Sequence, residues 1–381
     1  MNHIASAKFH YPRALFRFVS KNAVLLIAAS AAIITSVIVP PDKEYFDYID
    51  FKTLTCLFCT LAVVCALKNI GFFTFLAHRI ISLTGNIKIS VLTLVYITFI
   101  GSMLIANDMA LLTFLPLGYF VLKDTGKTNY MAFTFIMQNI AANLGGMLTP
   151  FGNPQNLYLY SYFNIPTGEF TLIMLPLFIL SVALITVICL IFVKNEKIES
   201  IKFDGEKLPV KRTLLYVALF VYSIIIVFRI VPFWTGLVLI PAILIFADRK
   251  ALGQVDYSLL LTFICFFIFA GNMSRIDAVR DFMSFILNKD TLIFSILTCQ
   301  IISNVPSAVL LSHFTRNYSA LLMGVNIGGA GTLIASLASL ITFREYTSHN
   351  PGCAGKYIKL FSVLNFLFVI VLAVFAEIFL I

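Results

Sequence analysis

The chain is 381 residues long, 60% hydrophobic and only 12% charged, with a mean hydropathy of +0.96. Such a composition excludes a soluble domain of useful size and points to a polytopic membrane protein. The formal charge of +9 does not mark nucleic-acid binding, because the basic residues are spread over short loops instead of gathered on one face.

In chain order, the apolar run 22–40 follows Lys8, Arg13, Arg17 and Lys21. The length of that basic stretch, with a whole bundle behind it, predicts a retained first helix instead of a cleaved signal. Further full spans are predicted at 51–68, 170–193, 213–231, 233–247, 257–271 and 358–380. Two regions break the rule. The apolar run 88–122 is interrupted at Asn107-Asp108, and the run 291–316 at Ser303-Asn304-Val305-Pro306. Two half-length arms around a polar tip predict a re-entrant hairpin. A glycine-broken helix follows each hairpin, at 128–163 and at 319–343, and residues 68–86 and 272–289 are polar enough to lie along the membrane faces.

With the N-terminus in the cytoplasm, the first hairpin opening inward and the second outward, only Lys43, Lys52, Arg229, Arg275, Arg280, Lys289 and Arg316 of the 27 basic residues fall outside. That bias satisfies the positive-inside rule. The seven cysteines are scattered and read as small buried hydrophobes, the Cys56/Cys59 pair included.

The halves repeat. Asn143, Gly145, Gly146 and Thr149 fall without a gap on Asn326, Gly328, Gly329 and Thr332, and Gly152-Asn153 falls on Ala335-Ser336. Ala106-Asn107-Asp108 aligns with Ser303-Asn304-Val305, and Asp50 and Asp256 open matching helices. The fold class expected is therefore all-α, a polytopic membrane protein with two inverted repeats, each with a re-entrant hairpin and a broken helix. Residues 1–48 form the N-terminal segment and first helix, and 49–193 the first repeat. Residues 194–255 form a cytoplasmic linker with two connecting helices, and 256–381 the second repeat. Broken helices at matching places in inverted repeats mark a transporter's substrate site.

The motifs Asn107-Asp108, Leu148-Thr-Pro-Phe-Gly-Asn-Pro-Gln-Asn156, Ser303-Asn-Val-Pro306 and Val325-Asn-Ile-Gly-Gly329 through Ser339 resemble the ion transporter superfamily over about residues 50–381. That group holds arsenite permeases, citrate and dicarboxylate transporters and sodium/proton antiporters. The resemblance is strongest to bacterial inner-membrane proteins of the citrate-transporter-like or arsenite-permease-like kind. It implies an elevator-like displacement in a homodimer. In the resembled dicarboxylate transporters a Ser-Asn-Thr tip in each half helps to bind sodium and carboxylate. Here both tip threonines are missing.

The residues expected to hold substrate or ion are Asn107, Asp108, Asn143, Gly145, Gly146, Thr149, Gly152, Asn153, Ser303, Asn304, Asn326, Gly328, Gly329, Thr332 and Ser336. Sodium is assigned to the amide oxygens of Asn107, Asn143, Asn304 and Asn326. The glycines are expected to allow positive φ and close backbone approach. Helix ends at midplane would aim N–H groups at an anion. Of 18 acidic residues only Asp108 and Glu377 fall inside membrane segments. Asp108 is read as carrier of the coupling proton or part of a cation site, against a simpler role as helix cap. No metalloprotease, hydrolase or nucleotide-binding motif accompanies it, so an enzyme is not expected. The expected function is secondary transport of a small anion or oxyanion-like solute coupled to H⁺ or Na⁺, with no other cofactor, in the bacterial inner membrane. Arsenite or antimonite efflux and sodium/proton antiport are the alternatives.

Overall fold

A computed structural model describes residues 22–82, 84–198 and 207–381. Lys8, Arg13, Arg17 and Lys21, which precede the first apolar run, and Lys202, one of the basic residues assigned to the cytoplasmic side, lie outside the described residues. Among those described, nineteen α-helices and two 3₁₀ turns form the chain, with no strand. The first half contains α1 (Ala23–Ile38), α2 (Tyr45–Tyr48), α3 (Phe51–Asn69), α4 (Phe72–Ile81), α5 (Ile87–Ile105), α6 (Asn107–Asp124), α7 (Met131–Gly145), α8 (Pro154–Tyr162) and α9 (Thr167–Phe192). Then come α10 (Val210–Val227), α11 (Phe233–Ala247) and α12 (Arg249–Gly253). The second half contains α13 (Tyr257–Ser274), α14 (Asp277–Lys289), α15 (Thr291–Ile302), α16 (Asn304–Leu311), α17 (Tyr318–Gly329), α18 (Leu337–His349) and α19 (Ala354–Phe379).

Six of these helices, α3, α5, α9, α10, α13 and α19, are long and apolar enough to cross a membrane. Large apolar side chains face outward around the bundle, with Val37 79%, Ile191 72% and Phe246 91% exposed. Water would not tolerate that surface, and lipid does. The protein is an all-α multi-pass membrane protein.

Sequence and structure differ in extent more than in kind. The first hairpin's arms, α5 and α6, have 19 and 18 residues and are not half-length. At 1.5 Å per residue each measures about 28 Å, close to the hydrocarbon thickness. The second hairpin's arms, α15 and α16, are shorter, at 12 and 8 residues. The span expected at 213–231 begins and ends earlier, at Val210 and Val227, which leaves Arg229 in a turn with φ 63°. The second broken helix continues to His349 instead of stopping at 343.

Local chemistry in the two halves agrees. Asp50 accepts from the N–H of Thr53 at 3.0 Å to start α3, and Asp256 accepts from Leu259 at 3.0 Å to start α13. Asn86 and Asp290 cap the first arm of each hairpin. Side-chain caps satisfy N–H groups that the first helical turn leaves unpaired. The packing also repeats: α5 lies on α7 as α15 lies on α17, and each hairpin's second arm reaches into the other half, α6 onto α18 and α16 onto α8.

Polar clips hold the two ends. At one, Arg275 joins Asp42 at 2.7 Å, Glu44 at 3.5 Å and the Tyr48 hydroxyl at 3.0 Å, tying the loop after α1 to the end of α13. The guanidinium holds the Asp42 carboxyl below its ordinary range. At the other, the linker residue Glu196 pairs with Lys127, which holds its carboxyl down too, while its carbonyl accepts the N–H of Ile87 at 3.0 Å. The linker thereby fastens the entrance and exit of the first hairpin together.

Candidate functional site

Each hairpin turns on a single residue. Ala106 has φ 65° and ψ 154°, and Ser303 has φ 74° and ψ 159°. This region is nearly reserved for glycine and costs about 1–3 kcal/mol elsewhere. The same strain therefore sits at the two aligned tips. Directly after it, Asn107 Oδ1 accepts the N–H of Asp108 at 2.9 Å, and Asn304 Oδ1 accepts the N–H of Val305 at 2.9 Å.

The breaks match too. Asn153 (φ −138°, ψ 143°) precedes α8, and Ser336 (φ −149°, ψ 143°) precedes α18. Helices α6, α16, α8 and α18 thus begin at the tips and breaks. The two arm helices begin at Asn107 and Asn304.

Buried amides connect these points. Asn107 donates to Asn143 Oδ1 at 3.3 Å, and Asn143 donates to the carbonyl of Asn139 at 3.0 Å. Asn139 reaches Asn365 Oδ1 of α19 at 3.4 Å. Asn153 Nδ2 spans the halves, donating to the Asn143 carbonyl at 3.2 Å and to Asn326 Oδ1 at 3.4 Å. Asn326 also donates to Asn156 Oδ1 at 2.7 Å and accepts from Gln155 at 3.5 Å. The site residues Asn107, Asn143, Asn153 and Asn326 are brought together, whereas Asn304 makes no bond to Asn326 and packs on Gly329. Asn153 Oδ1 and Gln155 Oε1 are buried without a partner. Unmatched amide oxygens at such depth are costly.

Several expected ligands are spent on the fold. Thr149 donates to the carbonyl of Met103 at 2.9 Å, and Thr332 to that of Gln300 at 3.4 Å, so both threonines brace a hairpin arm. Ser336 Oγ caps α18 by accepting from Ala338 at 3.2 Å. The expectation of positive φ at the glycines is not met; Gly145 and Gly146 are right-handed at −65° and −63°. The close approach expected of them is present. A Cβ on Gly145 would lie 2.2 Å from the Phe99 carbonyl oxygen, and one on Gly328 would lie 2.8 Å from Cys299 Cβ. These aligned glycines let α7 and α17 press against α5 and α15. In the turn of the break a Cβ on Gly152 would lie 2.4 Å from the Gly146 carbonyl oxygen.

Asp108 is partly buried, with Oδ1 enclosed and unpaired. It caps nothing: α6 has no side-chain cap bond, and the N–H of Asp108 is satisfied by Asn107. No basic side chain is hydrogen-bonded to the amide cluster among the described residues. The cluster offers neutral donors and acceptors plus one carboxylate.

Sequence reasoning missed Asn139, Gln155, Asn156, Asn365 and Gln300. Asn365 and Gln300 carried a usable signal, since each is an amide within an apolar stretch of helix. Asn139, Gln155 and Asn156 lay inside or beside the conspicuous break and are as deeply buried as the residues selected there.

A bundle with lipid-facing apolar walls, strained hairpin tips and broken helices joined at depth by amides is the architecture of a membrane transporter. The chain belongs to the citrate transporter family, whose model matches residues 12–319. It is 34% identical over 337 residues to an uncharacterized transporter of Methanocaldococcus jannaschii, covering 88% of this chain and 92% of that one. It is similar to the inner membrane protein YbiR of Escherichia coli, at 27% identity over 79% of this chain and 82% of the other. A shorter match, 30% identical over 167 residues, covers 44% of this chain and 33% of a silicon efflux transporter of Oryza sativa.

Proposed function

We propose that the protein is a secondary active transporter of a small anion or oxyanion-like solute, driven by H⁺ or Na⁺. The observation that carries this reading is an amide cluster that joins the first tip to both broken helices beside the unpaired carboxylate of Asp108, with the second tip bonded to its own break at Ala335. Four helices beginning there aim N–H groups and positive dipole ends inward, which favours an oxygen-rich solute. Asp108 takes up the coupling proton, or a sodium ion together with the amide oxygens of Asn107 and Asn143. On this reading residues 49–193 and 256–381 are repeats of opposite orientation. They move their hairpins and broken helices as an elevator within a homodimer, in a bacterial inner membrane with the N-terminus in the cytoplasm.

A second reading is efflux of arsenite, antimonite or a similar weak oxyacid. Amides both donate and accept, as hydroxyl groups do, and the cluster lacks the basic side chain that a fully charged anion calls for. The silicon efflux transporter among the relatives supports this variant. Sodium/proton exchange at Asp108 is the third.

The test uses purified protein in liposomes under an imposed pH or sodium gradient, with carboxylates, inorganic oxyanions and uncharged oxyacids offered in turn. Saturable, gradient-driven uptake of one solute is expected, with loss of proton drive in Asp108→Asn. Full pH-driven uptake by that variant would remove Asp108 from coupling, and flux at channel rates would overturn the transporter mechanism.

A further inference from the structure

The two aligned tips are fastened to their breaks very differently. In the second half the N–H of Asn304 donates to the Ala335 carbonyl at 2.9 Å, and the Ser303 hydroxyl donates to the same oxygen at 3.2 Å. Behind them Gln300 clamps the break from both sides. Its Oε1 accepts the N–H of Thr332 at 2.8 Å, and its Nε2 donates to the Gly328 carbonyl at 3.0 Å.

In the first half the equivalents are Asn107 with Gly152, and Met103 with Thr149 and Gly145. The equivalence of Met103 and Gln300 is fixed by geometry, because each break threonine donates to the carbonyl of that residue. No hydrogen bond joins Asn107 N–H to the Gly152 carbonyl, and Met103 has no amide with which to clamp the break. Ala106 has no hydroxyl. What remains is the Thr149 bond and the long contact of Asn107 with Asn143.

We infer that the tips have separate jobs: the second is a fixed wall of the site, and the first, which carries Asp108, is its gate. Gln300 is then the positioning residue that holds the wall, and Met103 is the residue whose lack of a side-chain amide leaves the gate free. Both tips pay the same backbone strain, so the difference lies in what restrains them. When Asp108 binds its ion, the first tip can settle onto the open Gly152 carbonyl, as the second already rests on Ala335. The inference rests on the transport reading for its meaning, although the difference in restraint can be measured without any solute.

The experiment is hydrogen exchange by mass spectrometry on the intact chain in lipid nanodiscs, comparing peptides that contain Asn107 and Asn304. The first tip should exchange faster by about fivefold to tenfold, the factor corresponding to one net hydrogen bond. Gln300→Met should raise exchange at the second tip toward that of the first, and Met103→Gln should slow the first. Met103→Gln should also depress uptake in liposomes, while an Ile89→Gln control at a lipid-facing position leaves it unchanged. Equal exchange at the two tips, or unaltered exchange in Gln300→Met, overturns the inference. So does wild-type uptake in Met103→Gln despite slowed exchange. Failure of the transport reading has another signature, namely no uptake by the unmodified protein with the exchange difference still present.

Discussion

Ala106 and Ser303, 197 positions apart in the chain, adopt the same backbone conformation to within about ten degrees, and neither is glycine. Glycine at 106 would release about 1–3 kcal/mol of strain while costing about 0.5–1 kcal/mol of chain entropy. Ala106→Gly should therefore raise the melting midpoint measured in detergent, and Ala106→Val should lower it. A lower midpoint in Ala106→Gly would mean that the alanine methyl packs well enough to outweigh the strain.

Asn326 holds three amides of the first break at once. Asn326→Ala leaves Asn153, Gln155 and Asn156 short of partners in a buried setting. At about 1–3 kcal/mol for each group left unsatisfied, it should destabilise by several kcal/mol. Asn304→Ala, which breaks two side-chain bonds to its own chain neighbours Ser303 and Val305, should cost about 1–2 kcal/mol. Chemical or thermal unfolding in detergent ranks the pair, and equal losses would contradict the bridging role assigned to Asn326.

Gly145→Ala meets the backbone oxygen of Phe99, whereas Gly328→Ala meets the Cys299 side chain and the Ile296 backbone less closely. Backbone yields less readily than a side chain, so Gly145→Ala should be the more destabilising, beyond about 2 kcal/mol. Gly85→Ala, with open space around its position, is the neutral control. Expression level and melting midpoint test the order.

The Asp42–Arg275 and Lys127–Glu196 clips give an acid limit. Both carboxyls are held below their ordinary range in the folded protein, so their contribution is complete above the unfolded value and fades as pH falls through the folded one. Loosening is expected below about pH 4, and none is expected from these groups near neutrality. Proteolysis of the loop after α1 should accelerate in that acid range with an acid-active protease. Arg275→Gln should show the faster cleavage already at pH 6.

Much of the fold was legible because hydropathy reports membrane length directly. The ends of α3, α11 and α13 and the break before α8 follow from apolar runs, an acidic cap and a proline. The first hairpin's arms were misjudged because Asn107-Asp108 interrupts the hydropathy without shortening the helices on either side. Of the two properties expected of the glycines, close approach is present and positive φ is not, because sequence shows only that glycine is there and packing decides which property is used. Asn365 stands out locally as an amide among apolar residues, but its pairing with Asn139, 226 positions away, is one that no local pattern encodes.

The exchange of arms between halves, α6 onto α18 and α16 onto α8, bears on how the protein is made. When the first half leaves the ribosome, α8 and the amides around Asn153 have neither α16 nor Asn326 to cover them. Those polar groups must wait, in lipid or at the insertion machinery, until the last third of the chain is synthesised. A chain stopped at the linker would contain every residue of the first break and still be unable to bury them. The halves match in local chemistry and in packing, yet neither is a unit of folding.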